Sequence, residues 1–161
     1  MASLKDLYLD ELGDLYDAEM QTIRLLPRLA EAAHAGALRR ALTMHGDEAR
    51  LHLERLQLIF THWGEPRRTR TCAGLLGIVQ EADDRMNDPA TDAGRDAAMI
   101  GVAQHIVHYE LAAYLTARIY ARWLNRLDDA RLLEETIEDE ERATRRLTAV
   151  AEAQESTISA A

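Results

Sequence analysis

The sequence predicts an all-α protein in which four long helices form a bundle and a short fifth helix lies in the one long connection. Hydrophobic residues recur at helical spacing in four long segments, as they do in helices that bury one face. Only 8 glycines and 3 prolines occur, while alanine, leucine, glutamate and arginine are abundant, which favours helix over sheet. The connection between the second and third segments is too long for a hairpin, so we expect it to run along the bundle.

Length, charge and cysteine content limit the class of protein. The 161 residues suit one domain, which we expect to span residues 1–155, with 156–161 as a flexible tail. The net charge of −9 argues against a nucleic-acid surface, and no apolar run approaches the ~20 residues of a membrane span. The acidic N-terminus does not resemble a signal peptide, and a single cysteine fits a reducing compartment. We therefore expect a cytoplasmic protein that binds neither nucleic acid nor membrane.

The first two long helices are predicted to be antiparallel neighbours. Ser3 and Asp6 form a capping-box pattern at the start of the first helix, which predicts its beginning. Pro27 should kink this helix, and Gly36 is expected to end it. The second helix, Ala37 to about His62, follows after a very short turn, which favours antiparallel packing.

The long connection begins with a loop that contains three arginines, which we expect to be solvated rather than to bind an anion. Residues Cys72 to Met86 are predicted to form the short helix, and Asp88-Pro89 should break the chain before the third long helix. The three arginines are Arg67, Arg68 and Arg70.

The third long helix, from about Asp92 to Leu124, is apolar around most of its circumference. A helix of this kind is either central or covered by a second subunit, so we expect a homodimer. The fourth long helix follows a turn at Asn125 to Asp128 and runs to about Gln154. Glu140 falls in the middle of its apolar stripe.

Polar residues on the apolar stripes predict a metal site. His45 and His52 lie near the middle of the second helix's stripe, and Glu48 lies at its edge. A buried carboxylate or imidazole is costly unless it is paired or bound to a metal. Each long helix contributes a carboxylate on or beside its inner stripe, and the turns bring these carboxylates to similar heights. The candidate ligands are Glu19, His45, Glu48, Glu110 and Glu140, with His52 and His108 as lesser candidates.

Four carboxylates and one or two imidazoles inside a helical bundle indicate a dinuclear iron or manganese site. The alternative is that these groups pair with inward-reaching arginines such as Arg118, or that they extend to solvent.

Short motifs in all four long helices and in the connection match a known family in order and spacing. They are Leu15-Tyr16-Asp17-Ala18-Glu19, His45-x-x-Glu48 with Arg55-Leu56, Cys72 with Gly77-Ile78-Val79-Gln80-Glu81, Gln104-x-x-x-His108-Tyr109-Glu110-Leu111-Ala112, and Leu132-Leu133 with Thr136-Ile137-Glu138-Asp139-Glu140. On these motifs the chain resembles the YciF-like branch of the ferritin-like superfamily. The resemblance implies a ferritin-like four-helix bundle with a short crossover helix, commonly dimeric, with a two-metal site and an association with bacterial stress responses.

The chain departs from the family pattern at the third helix. Val107 stands where the family usually has a glutamate before His108, and Ala49 and Thr144 replace a usual threonine and aspartate. Conversely, His52 stands where glutamine is more common. The half of the site from the first two helices is therefore intact, and the other half is depleted. We expect iron, or manganese, at one ion per chain or none.

Two functions remain open at this point. One is a ferritin-like stress-response protein whose iron reacts with oxygen or peroxide, as in a ferroxidase. The other is a ferritin-like bundle with a degenerate metal site that acts as a dimeric structural or interaction protein, which Val107 favours. No phosphate-binding loop or serine–histidine pairing supports a hydrolase.

Overall fold

The computed structural model describes residues 2–68 and 70–159. Within these ranges the protein consists of five α-helices and no strands, which confirms the predicted all-α bundle with a short helix in the crossover. None of the described helices is both long and apolar enough to cross a membrane. The helices are α1 (Leu4–Ala32), α2 (Gly36–Trp63), α3 (Ala73–Asn87), α4 (Asp92–Trp123) and α5 (Leu127–Ile158).

The start of α1 was predicted correctly, but the predicted role of Gly36 was wrong. Ser3 Oγ accepts a hydrogen bond from the Asp6 amide at 3.1 Å, and the Asp6 carboxylate accepts one from the Ser3 amide at 3.0 Å. The chain leaves α1 at Ala33 in an extended conformation, and Gly36 begins α2. The turn does not need a left-handed glycine because Asp96 of α4 accepts hydrogen bonds from two of its backbone amides, at 2.6 and 2.9 Å.

The other helix ends lie close to the predicted ones. Helix α2 extends to Trp63 and ends at Gly64, whose φ of 61° is the left-handed conformation that glycine adopts without strain. Helix α5 continues to Ile158, beyond the predicted end at Gln154. The last residues of the expected flexible tail, Ala160 and Ala161, lie outside the described residues.

The four long helices surround one interior. Helix α1 packs against α2 and α4, and α5 packs against α4 and α2, while α3 lies against α1 and α4. Cross-helix contacts fix the direction of α2 and α5. His62 contacts Asp129 and His52 contacts Asp139, so residue numbers fall along α5 as they rise along α2. These two helices are therefore antiparallel.

Two of the three loop arginines are exposed, as expected, but the loop also contacts α1. Arg68 binds Asp6 and Asp10 on α1, each at 2.8 Å, and the Arg67 guanidinium lies 4.0 Å from the centre of the Tyr16 ring. The loop backbone also approaches α1 closely, because a Cβ at Gly13 would lie 2.7 Å from a loop carbonyl oxygen. Arg67 and Arg68 therefore attach the loop to α1.

A polar layer divides the interior into two apolar clusters. One cluster includes Leu26 and Leu42 and extends to α3, whereas the other includes Leu12 and Phe60 at the opposite end of the bundle. Each long helix contributes buried residues to both clusters and crosses between them at the polar layer. This layer contains Glu19, Thr22, His45, His52, Glu110 and Glu140.

Candidate metal centre

Three carboxylates and two imidazoles from the four long helices meet in the polar layer. They belong to side chains that are at most 2% exposed. The two imidazoles are seven residues apart on α2, a spacing close to two helical turns that directs both to the same face. The five residues are Glu19 of α1, His45 and His52 of α2, Glu110 of α4 and Glu140 of α5.

These side chains form two groups that share Glu140. In one group His52 Nδ1 lies 3.0 Å from Glu19 Oε1 and 3.3 Å from Glu140 Oε1. In the other, His45 Nε2 lies 3.7 Å from Glu110 Oε2 and 3.5 Å from Glu140 Oε2. Each group offers one imidazole nitrogen and two carboxylate oxygens within 4.8 Å of one another, a set that could hold a metal ion.

Many polar atoms of this cluster have no hydrogen-bond partner among the described residues. They include Glu19 Oε2, Glu110 Oε2, both oxygens of Glu140 and both ring nitrogens of His45. A buried polar atom without a partner costs about 1–3 kcal/mol, and such atoms are rare in folded proteins. Their concentration around Glu140 fits the donor set of a bound cation.

Two carboxylates of the cluster, Glu110 and Glu140, have pKa values raised above the ordinary value. Burial raises the pKa of Glu110 and the nearby Glu19 raises it further, while His45 opposes this effect. Burial also raises the pKa of Glu140, against the influence of His45. Negative charge in this interior is therefore costly until a cation or a protonated imidazole compensates it.

Burial lowers the pKa values of the two imidazoles, whereas the carboxylates beside them raise these values. Burial lowers the pKa of His52, but Glu19 and Asp139 outweigh burial and raise it to about 10. Burial likewise opposes a proton on His45, while Glu140 and Glu110 raise its pKa well above the usual value. A proton on either imidazole therefore offsets carboxylate charge, and a ring nitrogen must lose its proton before it binds a metal.

Two buried hydroxyls donate hydrogen bonds to Glu110 and Glu19, the two carboxylates that each belong to only one of the groups. Thr22 Oγ1 donates to Glu110 Oε1 at 2.6 Å, and the Tyr114 hydroxyl donates to Glu19 Oε1 at 2.7 Å. Burial and the neighbouring Glu19 raise the pKa of Tyr114 well above its usual value, so its hydroxyl keeps the proton that it donates. Sequence analysis gave neither residue a role in the site.

Asp139 is a further residue that sequence analysis missed. Its Oδ2 lies 3.4 Å from His52 Nε2 and accepts a hydrogen bond from Arg55 Nη1 at 2.6 Å. A carboxylate on the far nitrogen of a histidine is the usual outer partner of a metal-binding imidazole. The only sequence signal was its position next to Glu140.

Two of the predicted ligands lie outside both groups. Glu48 lies where α2 meets α5 and forms an ion pair with Arg146, so its partner is an arginine, as the alternative interpretation allowed, although a different one from Arg118. His108 is exposed, with its Nδ1 2.8 Å from the carbonyl oxygen of Gln104. The expected grouping of Glu19 with His45 and Glu48 therefore does not occur.

Val107 is fully buried and belongs to the apolar cluster on the α3 side of the polar layer. The position thus adds apolar surface to the core where the family pattern adds a carboxylate. Arg118, which was considered as a partner for the inner carboxylates, binds Glu134 at 2.5 Å instead.

A family model described as "Domain of unknown function (DUF892)" matches residues 3–159. Protein YciF of Escherichia coli (strain K12) is 32% identical over 152 residues, which are 94% of this chain and 92% of that protein.

Two solved structures are similar over nearly the whole chain. The crystal structure of the E. coli stress protein YciF matches with a TM-score of 0.89 and 32% identity, covering 94% of this chain and 96% of that one. YcfI from Rhodopseudomonas palustris matches with a TM-score of 0.88 and 33% identity, covering 91% and 94% respectively.

Proposed function

This chain belongs to the DUF892 family of YciF-like proteins, and we propose that it is a ferritin-like stress-response protein that binds iron or manganese in its bundle core. The E. coli relative is described as a stress protein, and the match over most of both chains supports a related role here. The observation that carries the proposal is the pair of buried histidine–carboxylate groups that share Glu140.

The residues that would hold metal are Glu19, His52 and Glu140 on one side, and His45, Glu110 and Glu140 on the other. Imidazole together with carboxylate suits iron and manganese. Iron held there would supply redox chemistry toward oxygen or peroxide, of the ferroxidase type. Burial between two apolar clusters would keep bulk water away from the bound ion.

The charge balance of the core supports one tight ion per chain. Glu19, Glu110 and Glu140 carry three negative charges when ionised. One divalent cation and one protonated imidazole offset these charges fully. A second divalent cation, with both imidazoles neutral, would leave excess positive charge in a buried site, which is unfavourable unless an anion enters with it.

A second function is favoured by Val107 and Glu48. Val107 is buried among apolar side chains, and Glu48 forms an ion pair with Arg146. Both features reduce the number of carboxylates available to a metal. On this alternative the bundle has a degenerate site and acts as a dimeric structural or interaction protein.

The proposal also includes a homodimer. It includes a cytoplasmic location as well, and the free buried thiol of Cys72 supports that location.

Anaerobic titration with Fe(II) and with Mn(II), in which binding is measured by calorimetry, tests the metal proposal. We expect about one tight ion per chain. Replacing the shared ligand in Glu140→Gln should weaken binding by more than the roughly 10–100-fold that loss of an outer partner costs. The matched control is Glu138→Gln, because Glu138 is exposed on the same helix.

The outcomes separate the two functions. Loss of binding in Glu140→Gln with normal binding in Glu138→Gln supports the metal site. If the natural protein binds neither ion at micromolar affinity, the metal proposal is wrong and the dimeric interaction protein is favoured. Equal binding of the ion to Glu140→Gln and Glu138→Gln would show that the ion binds at another site.

A further inference from the structure

The three carboxylates of the metal centre differ in how their oxygens are engaged. Glu19 Oε1 accepts a hydrogen bond from Tyr114 and also lies 3.0 Å from His52 Nδ1. Glu110 Oε1 accepts one from Thr22. The second oxygen of each has no hydrogen-bond partner, whereas Glu140 has both oxygens without one among the described residues.

The two hydroxyls form a reciprocal pair of hydrogen bonds between α1 and α4. Thr22 lies on α1 and binds a carboxylate of α4, while Tyr114 lies on α4 and binds a carboxylate of α1. Both donors are fully buried, as are both acceptors. A buried hydrogen bond to an ionised carboxylate is short and strong, so each hydroxyl restricts the rotation of the carboxylate that it binds.

We propose that Thr22 and Tyr114 are positioning residues that present one oxygen each from Glu110 and Glu19 and leave both oxygens of Glu140 free for a metal, which makes the site selective for divalent transition ions over calcium. This inference rests on the proposed metal-binding function. Calcium takes six to eight oxygen ligands and commonly uses both oxygens of a carboxylate. Iron and manganese accept an imidazole with few carboxylate oxygens, which is what each group offers when one oxygen is held by a hydroxyl.

Conservative variants remove each hydroxyl with little change in side-chain volume. Thr22→Val and Tyr114→Phe act on different carboxylates, so either one tests the proposal if the other does not fold. Thr22→Ser keeps a hydroxyl and serves as the conservative control. Tyr8→Phe is the control for a buried tyrosine, because the Tyr8 hydroxyl contacts Asp129 at 3.5 Å, away from the metal centre.

The readouts are the affinities for Mn²⁺ and Ca²⁺, measured by competition, and the ligand-field absorption of bound Co²⁺, which weakens as coordination number rises. We expect Thr22→Val and Tyr114→Phe each to lower the ratio of Mn²⁺ to Ca²⁺ affinity by about 10–100-fold, the usual effect of losing an outer partner. The Co²⁺ absorption should weaken in both. Thr22→Ser and Tyr8→Phe should keep the natural ratio and spectrum.

A structural role alone would give a different result. If folded Thr22→Val and Tyr114→Phe keep the affinity ratio within about twofold and leave the Co²⁺ spectrum unchanged, the hydroxyls only support packing and the proposal is overturned. Titration of the natural protein distinguishes the other failure, since a chain that binds no metal removes the proposed function itself and this inference with it.

Discussion

The protonation of His52 is coupled to the fold. Burial lowers its pKa, but Glu19, Asp139 and Glu140 outweigh burial and raise it from 6.5 to about 10. Because the folded value lies above the unfolded one, the protonated imidazole stabilises the metal-free fold fully below about pH 6.5. That contribution is lost as the pH rises toward 10. We therefore expect the free energy of unfolding of the metal-free protein to fall across this range.

Urea unfolding in the presence of a chelator, at several pH values, measures this dependence. His52→Gln should lose much of the decline between pH 6.5 and 10. His108→Gln is the matched control, because His108 is exposed and contacts a backbone carbonyl rather than a carboxylate. The same pH slope in all three proteins would show that His52 is not the group responsible.

At the level of helices, the ion pair between Glu48 of α2 and Arg146 of α5 explains why one predicted ligand lies outside the metal centre. Glu48 lies one turn from His45, yet it is directed to the boundary between the two helices. We therefore expect Glu48→Gln to keep the metal affinity within about threefold of the natural protein. The change removes a partly exposed ion pair, and such pairs contribute little to stability.

Calorimetric titration of Glu48→Gln beside Glu140→Gln checks this expectation. A loss of binding as large as that in Glu140→Gln would show that Glu48 leaves Arg146 and joins the metal when an ion is bound.

Helical periodicity predicted that three residues of the metal centre face the interior. His45, His52 and Glu140 fall on apolar stripes and are buried. Their grouping could not be predicted, because it depends on the relative heights and rotations of separate helices. Glu48 stands at the edge of its stripe, where a small rotation decides between the core and Arg146.

Two buried aspartates show a second limit of sequence analysis. Asp96 binds the turn between α1 and α2, and Asp129 contacts Tyr8, His62, Trp63 and Arg126 at the opposite end of the bundle. Most of their partners lie far away along the chain, so no local pattern marks these aspartates as buried. Each satisfies several donors at once, which offsets the cost of burying a carboxylate.

For the whole molecule, two exposed apolar rows are candidates for the expected homodimer interface. Met44, Leu51 and Leu58 lie seven residues apart on α2, a spacing that places them along one face. The other row, at the end of the bundle where α4 meets α5, consists of Ile119, Trp123 and Leu127.

We expect the α2 row to form the interface. A seven-residue apolar repeat is the pattern by which helices pack side by side, and two copies of α2 can pair it through a twofold axis, which is the commonest symmetry of homodimers. Sedimentation should give about twice the chain mass of 18.1 kDa. Leu51→Arg places charge at the centre of the row and should produce monomers, while Ile119→Arg, with a similar exposure of 42% against 49%, should remain dimeric. Dissociation by Ile119→Arg alone would place the interface at the row of α4 and α5 instead. A natural protein that sediments as a monomer at micromolar concentration would rule out both rows.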